Sequence, residues 1–398
     1  MSARETILNI LERVFSENGY ASLMMRHMKA DEKDTAFIAE VVYGTLRNYS
    51  LLEYQWRSKA KKTKQRTALL LDMSIYQLFF MDVPGYAAVN EAVSLSPKHE
   101  KKFVNAILRQ VSGRGLVTPE ESEIRYSHPK WIFDLWSAHY GKDNALAIME
   151  YNQKKPVSYG RINTLLYSKE EAEQNENLHF IDDIAFRYEG ALQKSDLFRA
   201  GRVIIQNYSS QQIVKYLDVK SGMNVLDACA APGTKTQEIA MYMNNSGRVI
   251  AGELHEHRAK LIDELMERTG TEIVESKVMD ASVKGQFEAE SFDRILLDVP
   301  CSGLGDLSHK PEIRWHLKPE DLDHLTHLQS AILEANAPYL KKGGILVYST
   351  CTLNRKENEN RIRDFMKKHE DYELLEEHTY FPFVTESDGF YAAKLTRK

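Results

Sequence analysis

Cysteine is scarce in this chain of 398 residues, which has only three: Cys229, Cys301 and Cys351. An odd number of cysteines argues against a framework of disulfide bonds. The spacings between them match no zinc-binding pattern, and we therefore expect no bound metal. All three lie in the C-terminal half of the chain.

Long apolar runs are also missing. No stretch of about 18 consecutive apolar residues occurs, so no transmembrane helix is predicted. The first residues alternate charged and apolar side chains at helical spacing and lack the uninterrupted apolar core of a signal peptide. We therefore expect a cytoplasmic protein that does not associate with membranes, and we expect it to be a monomer.

Positive charge is unevenly distributed along the chain. The formal net charge is −5, but residues 1–115 contain 17 Lys and Arg against 12 Asp and Glu, so this part carries +5 and the remainder −10. A basic part in an acidic protein suggests a polyanionic partner. The charge is densest in a basic segment that consists of Arg57, Lys59, Lys61, Lys62, Lys64 and Arg66. Charge alone leaves a solvated loop between helices as an equal alternative.

Residues 1–115 are predicted to form an all-α domain. Apolar residues recur every three or four positions in RETILNILERVF, DTAFIAEVVYGTLRNYSLLEYQW and TALLLDMSIYQLFF, which is typical of amphipathic helices. The pattern breaks at Pro84 and resumes in AAVNEAVSL and KKFVNAILRQV, and it predicts a bundle of about six to eight helices. A polar linker is predicted over residues 113–129, followed by a small mixed α/β segment over residues 128–200.

From residue 202 onward, short β-rich runs alternate with helical stretches. The runs cover residues 223–227, 248–252, 273–276, 292–298 and 344–349. Alternation of this kind predicts a parallel, doubly wound sheet with helices on both faces. We therefore assign residues 201–398 to one α/β domain.

A loop of small residues follows the first strand of this domain. The strand ends at Asp227, and the loop runs to a helix that starts near Thr234. Small residues allow a tight turn and close approach of a ligand to the backbone, and the free N–H groups of a helix start favour a negative group. Ligands of doubly wound sheets bind at the carboxyl ends of the strands, where this loop lies. The loop is neither GxGxxG nor a Walker A motif, so by itself it is a weak signal.

Two carboxylates at later strand ends strengthen the prediction of a nucleotide-like cofactor. Glu253 follows Gly233 by twenty residues and ends the second strand, where a carboxylate accepts hydrogen bonds from ribose hydroxyls. Asp280 follows the third strand, at a position suited to an adenine amino group. Each carboxylate alone could be a surface residue, but their order on successive strands favours an adenosine site.

Two of the cysteines also follow strands. Cys301 lies three residues after Asp298 in LLDVPCSG, and Cys351 follows an apolar strand in VYSTCTL. One such cysteine could simply be a small buried residue. Two of them, in a chain with three and beside an aspartate and a cofactor loop, indicate catalysis.

Methylation of a pyrimidine carbon requires this set of groups. A thiolate that adds to C6 of cytosine makes C5 nucleophilic toward an activated methyl group, which is covalent catalysis. An acid near ring atom N3, such as Asp298, assists the addition. Methylases of amino groups usually carry an aromatic residue where Cys301 stands, which favours carbon chemistry here. The residues alone leave open which of the two cysteines attacks.

At these residues the sequence resembles the bacterial RsmB/Sun family of RNA cytosine-C5 methyltransferases. The resemblance covers nearly the whole chain. DACAAPGTKT is similar to the cofactor loop of the family, and LLDVPCSG and VYSTCTL are similar to its two cysteine motifs. QNYSSQ resembles the segment before the catalytic fold, and DGFYAAKL the closing strand. VVYGTLR, YQLFFMDVPGYAAVNEAV and KKFVNAILR resemble its NusB-like helical domain.

The resemblance implies the fold and the roles of individual residues. The fold is an α/β class I S-adenosylmethionine-dependent methyltransferase, with a Rossmann-like doubly wound sheet, preceded by a NusB-like RNA-binding bundle. Cys351 would be the nucleophile, Cys301 would assist product release, and Asp298 would face both the base and the cofactor. The cofactor, S-adenosylmethionine, would be surrounded by Cys229, Ala230, Ala231, Pro232, Gly233, Thr234, Lys235, Glu253, Arg258, Asp280 and Asp298.

The expected partner is RNA, most of all small-subunit ribosomal RNA, with transfer RNA as an alternative. Two other functions are less compatible with these residues. A non-enzymatic RNA-binding or antitermination factor is disfavoured because Cys351, Asp298 and the loop are all intact. A DNA cytosine methylase is disfavoured by the second cysteine motif and by the NusB-like half.

Overall fold

The computed structural model describes residues 2–26, 28, 32–60 and 62–398, so Lys61 of the basic segment lies outside the described residues. The chain forms two compact units. The helical unit consists of residues 1–155 and 307–317, and the sheet unit consists of residues 156–306 and 318–398.

The helical unit is built from amphipathic helices around one apolar core. Ser2 caps the first helix by accepting a hydrogen bond from the backbone N–H of Glu5, as serine commonly does at this position. Trp56 is fully buried in the core and donates a 2.7 Å hydrogen bond to Asp72. In the described residues, the first α-helices are α1 (Ala3–Glu17), α2 (Ala21–Arg26), α3 (Glu32–Tyr54), α4 (Gln65–Phe80), α5 (Gly85–Leu95), α6 (Lys101–Arg114), α7 (Ser122–Arg125), α8 (Lys130–Tyr140) and α9 (Lys142–Tyr151).

A short segment from later in the chain completes this unit. Residues 307–317 pack with the helices although they follow the Cys301 motif in sequence. Glu312 accepts a hydrogen bond from the backbone N–H of Ala21, and the Trp315 indole donates to the carbonyl of Leu46. Arg314 is fully buried, and burial lowers its pKa to about 9. The segment therefore belongs to the core of the helical unit and not to its surface.

The elements that follow α9 all belong to the sheet unit, except the short helix α15, which lies in segment 307–317 of the helical unit. In chain order these elements are β1 (Tyr159–Ile162), α10 (Lys169–Ala172), β2 (His179–Phe180), β3 (Ala185–Arg187), α11 (Asp196–Arg199), β4 (Val203–Ile205), α12 (Tyr208–Tyr216), β5 (Asn224–Asp227), α13 (Thr234–Tyr242), β6 (Arg248–Glu253), α14 (Glu256–Arg268), β7 (Val274–Val278), β8 (Phe292–Asp298), α15 (Ile313–His316), α16 (Asp321–Asn336), β9 (Leu340–Thr350), α17 (Glu359–Met366), β10 (Tyr372–Tyr380), α18 (Pro382–Thr385) and β11 (Phe390–Arg397).

The main sheet has seven strands in the order β10-β11-β9-β8-β5-β6-β7. Strands β7, β6, β5, β8 and β9 are parallel, whereas β11 runs antiparallel to both β9 and β10. The strand order reverses between β5 and β8, which are neighbours, and ligands of doubly wound folds bind at such a point. The central strands are buried on both faces, and each fully buried Val, Leu or Ile contributes about 1.5–3 kcal/mol.

A second, smaller sheet has the order β2-β3-β1-β4, and all of its pairings are antiparallel. It belongs to the sheet unit, whereas α8 and α9 belong to the helical unit, so the predicted linking segment 128–200 is divided between the two units. The predicted fold class is confirmed: a doubly wound α/β sheet is preceded by a helical bundle. None of the helices in the described part of the chain combines the length and apolar character of a bilayer-spanning segment.

Candidate active site

The predicted cofactor loop connects β5 to α13. Gly233 has φ of +100°, a backbone conformation that favours glycine, and α13 begins at the next residue. The backbone N–H of Ala230 donates to the carbonyl of Gly252 in β6, which fixes the loop against the neighbouring strand. A small cavity beside the loop is lined by Asp227, Cys229, Ala230, Ala231, Pro232, Thr234, Lys235 and Asp298. All of these except Asp227 were among the residues predicted for the site.

Asp227 also lines this cavity, although the sequence analysis predicted no role for it. Its side chain is 1% exposed and accepts a 2.7 Å hydrogen bond from the Thr236 hydroxyl at one oxygen. The other oxygen, Oδ1, is buried and makes no hydrogen bond of normal geometry with any residue that the structure describes. Burial raises the pKa of Asp227 to about 7. The position at the end of β5 was the signal that could have identified it.

The carboxylates predicted on the next two strand ends differ in their surroundings. Glu253 is 4% exposed and accepts hydrogen bonds from the backbone N–H of His255 and from Arg258. Arg258 also donates to the carbonyl of Ala231, so it links Glu253 to the cofactor loop. Asp280 is exposed, and hydrogen bonds from Ser282 lower its pKa. These three residues do not line the cavity beside the loop.

Asp298 lies where β8, β9 and the cofactor loop meet. The Lys235 ammonium donates to its Oδ2 at 2.8 Å, and the Ser349 hydroxyl donates to its Oδ1 at 2.8 Å. Burial opposes the charge on Lys235, but the adjacent Asp298 carboxylate more than offsets this and raises the pKa of Lys235. The lysine therefore stays protonated at neutral pH.

The two catalytic cysteine candidates are neighbours. Because Asp298 pairs with Ser349 in the parallel β8–β9 ladder, the residues just after these strands meet at one sheet edge. The sulfurs of Cys301 and Cys351 are 3.4 Å apart. The hydrogen bond between the thiols, together with burial, raises the pKa of Cys301. Burial also raises the pKa of Cys229, so that thiol is neutral.

Comparison with known proteins identifies the family. The family model described as 16S rRNA methyltransferase RsmB/F matches residues 214–396, and the model of the NusB family matches residues 1–113. A protein of Bacillus subtilis named probable ribosomal RNA small subunit methyltransferase B is 35% identical, over 94% of this chain and 90% of that protein. The ribosomal RNA small subunit methyltransferase B of Escherichia fergusonii is 32% identical, over 93% of this chain and 92% of that protein.

A solved structure supports the same assignment. The methyltransferase homologue from Pyrococcus horikoshii is 29% identical and superimposes with a TM-score of 0.62, over 70% of this chain and 98% of that protein. The range matched by the RsmB/F model includes the doubly wound sheet, the cofactor loop and both cysteine motifs. This chain belongs to the RsmB/F family and is an S-adenosylmethionine-dependent methyltransferase.

Proposed function

We propose that this enzyme methylates C5 of a cytosine in small-subunit ribosomal RNA, through a transient covalent bond between Cys351 and C6 of the base. The observation that carries the proposal is the pair of thiols 3.4 Å apart beside the Lys235–Asp298 pair. The names of the relatives supply the RNA class. Transfer RNA is the second candidate substrate.

The residues around the cofactor loop fit S-adenosylmethionine. When bound, it supplies an electrophilic methyl group on a positively charged sulfonium. The buried Oδ1 of Asp227 offers a further acceptor, which suits the ammonium group of the methionyl part. Glu253 would bind the ribose hydroxyls, and Asp280 would accept from the adenine amino group. The loop residues from Cys229 to Lys235 would contribute backbone contacts, and Arg258 would hold Glu253 and the loop in place.

The family resemblance assigns the attack on C6 to Cys351 and a role in release to its neighbour Cys301. Two sulfurs at this distance disfavour simultaneous ionisation, because two like charges repel. Burial and the hydrogen bond between the sulfurs raise the pKa of Cys301, which favours its protonated form beside the other sulfur. The thiolate is the reactive form of cysteine. The contact between the two sulfurs supports a reaction in which both thiols take part.

The Lys235–Asp298 pair would assist the addition. When the sulfur of Cys351 bonds to C6, electron density moves onto the N3 and O2 side of the ring, and a nearby proton donor lowers the cost. Lys235 carries the proton, and Asp298 orients it. C5 then has the electron density that methylation requires.

Release requires two bonds to break. The C5 proton leaves to a base, and the electron pair of that bond re-forms the C5–C6 double bond as the S–C6 bond breaks. Cys351 leaves as a thiolate, and the adjacent Cys301 would assist this elimination. Loss of Cys301 should therefore leave attack possible and slow release.

The target base must be unpaired or flipped out of its stack, since both thiols are partly buried and lie beyond the reach of a base that stays stacked. In the helical unit, Lys59, Lys62 and Lys64 are exposed and suited to phosphate contacts. Arg66 donates hydrogen bonds to Asn9 and Glu12, and Arg114 donates to the carbonyl of Gln55. These two arginines are therefore less available for contacts with RNA phosphates.

The proposal is tested by incubating the enzyme with methyl-labelled cofactor and either protein-free small-subunit rRNA, transfer RNA or duplex DNA. We expect label in rRNA as 5-methylcytosine, at one position mapped by bisulfite sequencing. Cys351→Ala should abolish it. Label only in DNA, label on another atom, or full activity of Cys351→Ala would each contradict the proposal.

A further inference from the structure

The two loops that carry the thiols are joined by a buried cluster of polar side chains. The first loop follows β8 and contains Cys301, and the second follows β9 and contains Cys351. The cluster lies between these loops and α16, within the sheet unit. We call it the Glu357 cluster, and it consists of Ser302, Gln329, Thr352, Asn354 and Glu357.

Glu357 is the centre of this cluster. It is fully buried and accepts four hydrogen bonds, all from neutral groups. From the first loop, the backbone N–H of Ser302 donates to Oε2 at 2.9 Å, and the Ser302 hydroxyl donates to Oε1 at 2.5 Å. From the second loop, Asn354 donates to Oε1 at 2.8 Å. One carboxylate thus binds both thiol-bearing loops.

The fourth donor, Gln329, connects the cluster to the start of the first loop, just after β8. The amide of Gln329 on α16 donates to Glu357 Oε2 at 3.0 Å and to the carbonyl of Pro300 at 2.9 Å. Pro300 immediately precedes Cys301. The residues on both sides of Cys301 are therefore held by Glu357, either directly or through Gln329.

A second connection runs through two hydroxyls. The backbone N–H of Leu304 donates to the Thr352 hydroxyl oxygen at 3.3 Å, and the hydroxyls of Thr352 and Ser302 are 2.7 Å apart. Since Ser302 donates to Glu357, Thr352 is the donor to Ser302. Thr352 follows Cys351 directly, so this chain of donors also ends on the carboxylate.

We propose that Glu357 is a positioning residue that holds the Cys301 loop against the Cys351 loop, so that Cys301 can assist release of the methylated base. The inference rests on the proposed function. Glu357 makes no hydrogen bond to either sulfur, although its charge contributes to the raised pKa of Cys301. It positions Cys301 through the backbone on either side of that residue.

The carboxylate is specifically required, because all four of its partners are donors. In a Glu357→Gln variant the new amide NH₂ faces at least one donor that cannot reverse, in either orientation. One orientation opposes the backbone N–H of Ser302 and the amide of Gln329. The other opposes the amide of Asn354, while the Ser302 hydroxyl can turn and accept. A buried donor without an acceptor costs about 1–3 kcal/mol, so the loop is expected to shift rather than keep this contact. A shift of the order of 1 Å at a reacting group costs about 100-fold in rate.

The experiment measures the fraction of enzyme that remains covalently attached to RNA under denaturing conditions after mixing full-length protein with rRNA and cofactor. Wild type should show little attached RNA during turnover, and Cys301→Ala should accumulate it. Glu357→Gln should also accumulate it, with release slowed roughly 10- to 100-fold and the rate of attachment in a single turnover near that of wild type. A purely structural role would lower attachment and release together.

The matched control is Glu359→Gln, another buried glutamate two residues further on, whose side chain lies near Arg355 and Thr379. It should release RNA at the wild-type rate. Should Glu357→Gln fail to fold, as judged by circular dichroism and cofactor binding, Ser302→Ala takes its place, because it removes the hydroxyl connection and leaves the carboxylate with its other donors. Slowed release in Ser302→Ala supports the inference.

The outcomes separate the inference from the proposed function. If Cys301→Ala accumulates no attached RNA, the proposed role of Cys301 in release is wrong. If Cys301→Ala accumulates it but a folded Glu357→Gln, or Ser302→Ala in its place, releases RNA at the wild-type rate, the positioning role of Glu357 is overturned and the proposed function stands.

Discussion

Replacing Asp227 with asparagine should stabilise the cofactor-free enzyme above pH 7 and weaken cofactor binding. Burial raises the pKa of this carboxyl group from 3.8 to about 7. The group is therefore protonated in the folded protein over a pH range in which it is ionised in the unfolded chain. The stability associated with the neutral form is complete below pH 4 and is lost as the pH rises through about 7.

The size of the effect on the free energy of unfolding follows from the pKa shift of Asp227. Each pKa unit corresponds to 1.36 kcal/mol, so the ionised carboxylate destabilises the fold by up to about 4 kcal/mol at high pH, and roughly 2–3 kcal/mol of this develops between pH 5 and pH 8. Asparagine keeps an oxygen for the Thr236 hydroxyl and carries no charge. The stability of Asp227→Asn should therefore depend less on pH than that of wild type.

The assay is urea unfolding of both proteins at pH 5 and pH 8, without cofactor and with a saturating amount. The difference in free energy of unfolding between variant and wild type should become more favourable to the variant as the pH rises. Stabilisation by S-adenosylmethionine should be smaller in the variant, because a neutral amide attracts the ammonium group less. A difference that stays constant between the two pH values would refute the account of Asp227, as would unchanged cofactor binding.

Three further predictions concern Lys235, the cofactor loop and the surface expected to bind RNA. Lys235→Met should lower the single-turnover methylation rate by about 100-fold or more with RNA affinity retained, and near-normal turnover would remove Lys235 from the mechanism. Gly233→Ala should weaken cofactor binding in calorimetry, because a side chain at φ of +100° costs roughly 1–2 kcal/mol. The same change at Gly285, which also has positive φ but lies outside the cofactor loop, should leave that binding unchanged. Replacing the exposed lysines Lys59, Lys62 and Lys64 with glutamine should reduce the slope of log affinity for RNA against log salt concentration by roughly two to three units. An unchanged slope would mean that RNA binds to another surface.

The core of the sheet unit was predictable because its strands are apolar runs that end in reactive residues. The run that ends at Asp298 and the run before Cys351 are strands β8 and β9, and their ends meet at one edge. The parallel pairing of β5 with β6 and β8 follows from the helices between them. Periodicity and strand ends were therefore sufficient to bring the cysteines, Asp298 and the loop together.

Strand β10 was not predicted, because it lies at the edge of the sheet and most of its side chains are exposed. An acidic segment of this kind lacks the apolar alternation by which strands are recognised. In the smaller sheet, strands β2, β3 and β4 were not predicted, because they have only two or three residues each.

Two features depend on contacts between residues far apart in sequence. Arg314 would be expected on a surface, but it is buried in the helical unit and donates to the carbonyl of Ser127. Glu357 lies in the polar run KENEN, which is typical of an exposed turn. It is buried because four donors from three separate segments converge on it, and no local pattern encodes that convergence.

The central claim, a covalent bond between Cys351 and cytosine C6, is tested most directly with RNA that carries 5-fluorocytosine at the target position. Fluorine cannot leave C5 as the proton does, so the adduct should persist after methylation. Proteolysis and mass spectrometry should find the nucleotide on the peptide that contains Cys351. A nucleotide on Cys301, or methylation of the normal RNA with no adduct on the fluorinated one, would contradict the mechanism.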